Sequence, residues 1–364
     1  MKKEWKSTLK EAWKTLKEFV SKGERKHWRG AVNDIREFYL SSEEQEKLKK
    51  KGFIVRWLLL AWWTLGGMVK RLSPIRGIFL VIGLLLLFRV VGYGVGSERD
   101  GAPLLGGLII LFILMVELKD KVVAKDELKE GRAIQIALMP EPNPVFPGWS
   151  IWLYSSPAND VGGDLIDYLQ LDKDRAMVAL GDVAGKGLPA ALMMARIQST
   201  LRALAPEFPD ISALAARVND ILCRDGIKSR FASLLYAFLS TENNKISFVN
   251  AGHFPPVVVR KKSVKEAGKG GIALGLKPGT SYKLQELELD AGELIVVYSD
   301  GLTEAQNGDG EFFGNERAQA IFKQLHGMDA LTAGETILRE FNTFVQDTAP
   351  FDDLSLMILS RNRS

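Results

Sequence analysis

Four short segments carry acidic residues where a strand is expected to run into a turn, and a fifth segment without one lies among them. They are Val161-Gly162-Gly163-Asp164, then Gly181-Asp182-Val183-Ala184-Gly185-Lys186-Gly187, then Tyr298-Ser299-Asp300-Gly301, and the doublet Asp352-Asp353 ahead of Leu354, with Asn250-Ala251-Gly252-His253 between them. Carboxylates beside glycine can approach one another without side-chain obstruction. Several of them converging without basic partners repel unless cations lie between them. An all-oxygen set of this kind suits hard ions such as magnesium or manganese. Taken singly, an Asp-Gly pair is most often only a turn, so the order and combination carry the argument.

Other chemistries find less support. The single cysteine, Cys223, lies outside every one of these segments, and no Cys/His cluster suggests a zinc site. Gly185-Lys186-Gly187 lacks the upstream glycine spacing and the hydroxyl of a phosphate-binding nucleotide loop. His253 is one of three histidines. Its expected role is a loop residue whose ring hydrogen-bonds locally, with proton donation as the sharper possibility.

The elements that position these residues change character along the 364-residue chain. Residues 1–52 are charged and helix-prone, with about fifteen Lys and Arg against about nine Asp and Glu. A basic head beside apolar sequence points to an anionic membrane surface and not to nucleic acid. Three apolar runs follow within 53–118: 53–68 is expected along the interface, and 75–96 and 101–118 are expected as a transmembrane hairpin with Ser97 to Asp100 outside. Residues 119–145 read as a charged helix that ends before Pro140, Pro142 and Pro144. From 146 to 364 short β-branched runs are interrupted by blocks of helix, which favours an α+β layered fold with mainly antiparallel sheets. The expected placement is a bacterial cell membrane with the catalytic part in the cytoplasm.

The five segments, in this order, resemble the successive motifs of the bacterial sporulation-phosphatase and sigma-regulator (SpoIIE-like) branch of the PPM-type protein phosphatase 2C superfamily. The resemblance covers about residues 130–361 and leaves the first 115 unmatched. It implies an α-β-β-α sandwich with two divalent cations, Mn2+ or Mg2+, at one edge of the central sheets. Carried onto this chain, Asp182 bridges both ions beside the Val183 carbonyl, Asp300 and Asp352 complete one shell, and Asp164 contacts a metal or its waters. Asp353 remains an alternative to Asp352. Gly163, Gly181, Asn250, Gly252, His253 and Gly301 support the site. Asp182 and Asp300 are the residues on which catalysis depends.

The implied reaction is hydrolysis of phosphoserine or phosphothreonine on a partner protein by a metal-bound hydroxide, with an anti-sigma factor antagonist as the substrate the family suggests. Lys186 stands where many relatives carry histidine, and the arginine that grips phosphate in eukaryotic relatives has no recognisable counterpart. The rival expectation is a catalytically silent signalling scaffold on the same fold. Residues 130–140, with Arg132, Ile134, Gln135 and Leu138, resemble the family's helix joining a regulatory segment to the catalytic domain. Control through that helix, and a homodimer along it, are the corresponding expectations.

Overall fold

The computed structural model describes residues 72–92, 101–225 and 230–362, with isolated positions between 52 and 66. The expected basic segment, the turn at 97–100 and most of the interfacial run at 53–68 therefore lie outside the described residues. The chain divides into two compact units, Met1–Val122 and Val123–Ser364.

In the first unit α1 (Pro74–Gly92) is followed by the beginning of α2 (Ala102–Leu138). Their contact is made by glycine: a Cβ at Gly106 would stand 2.6 Å from the Gly83 carbonyl oxygen and 2.8 Å from the Leu87 nitrogen. Absence of side chains lets the two backbones touch, as small residues do between apolar helices. Arg76 ties the pair at one end, with Nη1 2.7 Å from Glu117 Oε1 and Nη2 2.6 Å from Asp120 Oδ2. Leu104, Leu108, Phe112 and Met115 are exposed along α2. Among the described residues α2 alone is long and apolar enough to cross a membrane, and Pro74–Leu87 is a shorter apolar helix. The apolar run and the charged linker expected separately are one continuous helix, because no proline falls between Val116 and Leu138 and the single Gly131 does not interrupt it.

The second unit is built from two five-stranded antiparallel sheets. One has the order β1-β10-β9-β6-β7, the other β2-β3-β4-β5-β8. The strands are β1 (Trp149–Ser156), β2 (Leu165–Gln170), β3 (Arg175–Val183), β4 (Ala232–Ser240), β5 (Lys245–Ala251), β6 (Val257–Arg260), β7 (Ser263–Glu266), β8 (Gln285–Glu288), β9 (Leu294–Tyr298) and β10 (Leu354–Arg361). Helices α3 (Leu188–Leu204) and α4 (Ile211–Asp225) accompany the second sheet, and α5 (Gly314–Phe322) and α6 (Ala330–Val345) the first.

Period-two alternation explains why two sheets can each carry helices outside and still meet inside. On β3, Val178 and Leu180 join Ile151, Leu235, Val297 and Met357 in a core between the sheets. Their neighbours Met177 and Ala179 face the other way, onto Met194, Ile197 and Leu201 of α3 and Leu214 of α4. On β10, Leu356 and Ile358 meet Phe322 of α5 and Ile337 of α6. Each fully buried side chain of this size is worth about 1.5–3 kcal/mol, so three stacked apolar layers hold the strand ends in place. The result is the expected α-β-β-α sandwich. The short strands β7 and β8 were not legible in the sequence, because Ser263-Val264-Lys265-Glu266 and Gln285-Glu286-Leu287-Glu288 lie at sheet edges and stay largely polar.

Candidate active site

The acidic segments meet at one edge of the sandwich. Asp182 is the penultimate residue of β3, where it pairs with Ser233 of β4. Asp164 immediately precedes β2, Asp300 opens a 3-10 turn after β9, and Asp352 and Asp353 lead into β10. Hydrogen bonding draws these strand ends together. Asp353 accepts from Ala158 N at 2.7 Å and Gly163 N at 2.6 Å, which pins the 158–163 loop to the start of β10. Gly163 in turn sits so close that a Cβ there would stand 3.2 Å from the Val183 carbonyl oxygen and 3.6 Å from Asp182 Oδ1. A side chain at that position would crowd the Val183 carbonyl and Ala190 Cβ, each 3.2 Å away, and lie in contact with Asp182. At Gly301 a Cβ would collide with the Asp353 carbonyl, and at Gly181 with that of Ser233.

The carboxylates are short of positive charge. Burial, then the charges of Asp300, Asp352 and Asp353, push Asp182 up to about 7. Asp300 is raised by burial and by Asp352. Asp164 is 4 % exposed. It is held well above the usual carboxylate range, chiefly by burial and in part by Asp182 and Asp353, against the hydroxyls of Ser355 and Ser299. Its Oδ2 is buried with no hydrogen-bond partner. Lys186 is the cation that offsets Asp182 and Asp300, and its Nζ lies 2.8 Å from Asp352 Oδ2 and 3.0 Å from the Phe351 carbonyl oxygen.

The two members of the doublet differ in what they do. Asp353 is buried with both oxygens receiving backbone N–H groups, whereas Asp352 is half-buried and meets only a side-chain cation and its own neighbour's N–H. Among the described residues no group of three or more His, Cys, Asp or Glu side chains stands ready to share one ion. The donor chemistry nevertheless fits divalent cations: the set is all oxygen, mutually repelling, and includes an orphaned buried carboxylate oxygen.

His253 is packed behind β3 and β4. Asn250 Oδ1 accepts from His253 N at 2.8 Å and Asn250 Nδ2 donates to the His253 carbonyl at 3.0 Å, so the Asn250-Ala251-Gly252-His253 turn closes on itself. The ring Nδ1 lies 3.0 Å from Ser233 Oγ, and burial pulls the imidazole down to about 4. Ser233 had no signal beyond its place on a strand, where a serine is read as filler, and Ser299 and Ser355 stand beside the acidic segments without a role of their own in the sequence reading. Within the same unit, Arg132 donates to the Asn159 and Asp160 carbonyls, and Gln135 makes a two-way amide pair with Gly162 at 2.8 and 3.1 Å. Gln198 Nε2 donates to the Leu138 carbonyl, while Ile134 is exposed. The helix end thus grips the loop that carries Gly162 and Gly163.

Two cavities are relevant. One of about 220 Å³ opens beside Asp352 and Gly301, lined also by Tyr154, Gln306, Phe351 and Asn342. A larger one of about 1000 Å³ lies at the far end of β3, around Asp172, Arg175 and Phe238. None of the clustered carboxylates lines the larger one, so the smaller cavity is the one tied to this chemistry.

The sandwich and its acidic edge define a PP2C-like phosphatase fold. Its likeness to the SiaA PP2C domain of Pseudomonas aeruginosa has a TM-score of 0.57 at 18% identity, covering 67% of this chain and 99% of that one. For the phosphatase domain with a regulatory fragment of SpoIIE from Bacillus subtilis the TM-score is 0.52 at 16% identity, covering 60% and 64%. The chain belongs to the Stage II sporulation protein E (SpoIIE) family, whose model matches residues 172–362. It is 28% identical to protein IcfG of Synechocystis over 309 residues, 73% of this chain and 47% of IcfG, so it spans about half of that relative's length. It is 27% identical to the phosphoserine phosphatase RsbU of Bacillus subtilis over 241 residues, 65% of this chain and 70% of RsbU.

Proposed function

We propose that this chain is a membrane-anchored, metal-dependent protein serine/threonine phosphatase. The observation that carries the reading is the meeting of Asp164, Asp182, Asp300 and Asp352 at one sandwich edge, with the carboxyls of Asp164, Asp182 and Asp300 raised, in a chain of the SpoIIE family. Bound Mn2+ or Mg2+ supplies a hydroxide nucleophile near neutral pH and neutralises phosphoryl charge. Asp182 and the Val183 carbonyl would hold both ions, Asp300 and Asp352 would complete one shell, and Asp164 would meet a metal or its water. Asp353 shapes the site through the 158–163 loop. His253 supports β4 and is too deeply buried to reach a leaving group.

The substrate proposed is a phosphorylated regulatory protein of the anti-sigma factor antagonist type, by analogy with RsbU, which acts as a phosphoserine phosphatase. Anchoring rests on the α1–α2 pair, with the catalytic unit cytoplasmic. Since α2 runs without a break from its apolar part to Gln135, the helix is suited to bias the Gly162–Gly163 loop, and a second copy of the chain could pair along it. A silent scaffold has one observation in its favour, the Lys186–Asp352 pair standing where a ligand must be free.

The test is turnover of p-nitrophenyl phosphate and a phosphoserine protein by the full chain in detergent, with and without Mn2+. Turnover that needs the ion and stops on chelation supports the reading, and turnover that ignores the metal removes it. A folded chain that binds Mn2+ without turnover establishes the scaffold. Two glycines inserted after Lys125 should change activity in reconstituted membranes. Equal activity with and without them makes the helix a tether.

A further inference from the structure

Arg230 is half-buried and, among the described residues, has no hydrogen-bonded or ion-paired partner. Its place is well defined. Phe231, the next residue, accepts a hydrogen bond from Ala184 N at 2.9 Å, which joins the start of β4 to the turn that follows Asp182. A Cβ at Gly185 would stand 3.0 Å from Arg230 Nη1, so the guanidinium lies against the Gly185-Lys186-Gly187 turn. That turn needs glycine for its backbone, with φ of +113° at Gly185 and +71° at Gly187. It displays Lys186, half exposed, on its outer side.

A guanidinium taken partly out of water without a carboxylate is costly, and five fixed donors suit a planar or tetrahedral oxyanion. The neighbouring carboxylates do not satisfy it: Asp352 is held by Lys186 and Asp353 by backbone N–H groups. Two cations therefore flank the turn after Asp182, one engaged and one waiting.

We propose that Arg230, with Lys186 beside it, grips the phosphoryl oxygens of the substrate phosphomonoester at the edge of the acidic site. This deepens the phosphatase reading and rests on it. Arg230 donates to the non-bridging oxygens of the incoming dianion, and Lys186 swings from Asp352 toward the same group. No bond is made or broken by either residue, so they orient the phosphate and leave hydrolysis to the acidic edge. Pairs of charge-assisted bonds to phosphate are strong enough that losing the arginine should weaken anion binding by roughly tenfold or more.

The experiment uses the full chain in detergent with Mn2+, comparing wild type, Arg230→Ala and Arg230→Lys. Three quantities are read: KM and kcat for p-nitrophenyl phosphate, the inhibition constant of inorganic phosphate, and the shift in melting temperature caused by Mn2+ alone. The expected result for Arg230→Ala is a rise of roughly tenfold or more in both KM and the phosphate constant, with the Mn2+ shift unchanged and Arg230→Lys partly restored. KM and phosphate inhibition within twofold of wild type overturn the grip, as does loss of the Mn2+ shift in step with phosphate binding, which makes the arginine a support of the metal edge. Should the alanine variant not fold, the lysine variant gives the same comparison with a smaller rise. If wild type does not turn over, the phosphatase reading fails by itself. Calorimetric binding of inorganic phosphate to the Mn2+-loaded protein, lost in Arg230→Ala, then still decides the grip.

Discussion

Replacing Asp182 with Asn should stabilise the metal-free protein while destroying its activity. Asp182 sits among Asp300, Asp352 and Asp353 and its carboxyl is pushed from 3.8 to about 7, first by burial and then by those charges. A carboxyl whose folded pKa is raised binds its proton more tightly folded than unfolded, so folding is unpenalised below about 4, increasingly penalised as pH climbs from there, and fully penalised above about 7. Three units correspond to about 4 kcal/mol at most. Partial exposure of the group and screening reduce this to about 2 kcal/mol. Asparagine keeps the shape and removes the charge.

In chelator at pH 8 the variant's catalytic unit should therefore melt about 4–8 °C above wild type, and the gap should shrink to less than half by pH 5 and close only below about pH 4, where the unfolded chain is protonated too. Manganese reverses the comparison, since an ion at a hundred times its dissociation constant adds about 2.7 kcal/mol to the protein that holds it. Turnover should fall by several orders of magnitude. Differential scanning calorimetry at the two pH values, with and without Mn2+, makes the measurement. A variant no more stable than wild type in chelator at pH 8, or a gap as large at pH 5 as at pH 8, refutes the charge-repulsion account of this edge.

Two further outcomes follow from buried groups. Arg202 of α3 reaches Asp167, fully buried on β2, with Nε 2.9 Å and Nη2 2.5 Å from its oxygens, so Arg202→Ala leaves an uncompensated carboxylate. It should cost about 3–5 kcal/mol by urea denaturation, and a loss below about 1 kcal/mol would show that water reaches Asp167. His253, lowered by burial from 6.5 to about 4, is folded neutral. The unfolded chain takes the extra proton first, so stability relative to His253→Gln should fall by about 3 kcal/mol as pH drops from 6.5 to 4. A flat difference across that window would place the ring in contact with water.

Much of the layout was legible before any coordinates. Ala176 to Leu180 reads as strand because it is a short unbroken apolar run around Val178 bounded by turn residues, and the structure extends it only to Arg175–Val183. Residues 188–206 read as helix and fold as Leu188–Leu204, since Pro189 suits a first turn and the apolar spacing is helical. The acidic segments were visible because glycine beside aspartate at a strand end is a local pattern. What each aspartate does was not visible. Asp352 and Asp353 are adjacent and identical in type, and only folding brings Gly163 N and Ala158 N to one and Lys186 to the other. Arg230 gave no sequence signal at all, because an arginine at a loop end is ordinarily solvated. Only folding sets it against the Gly185 turn, through the Ala184–Phe231 join. Short-range pattern carries periodicity and turn chemistry, which depend on a few neighbouring residues. Charge balance, burial and the pairing of groups more than a hundred residues apart are properties of the packed sheets, and those decided which carboxylate is free, which is tied, and which cation waits beside them.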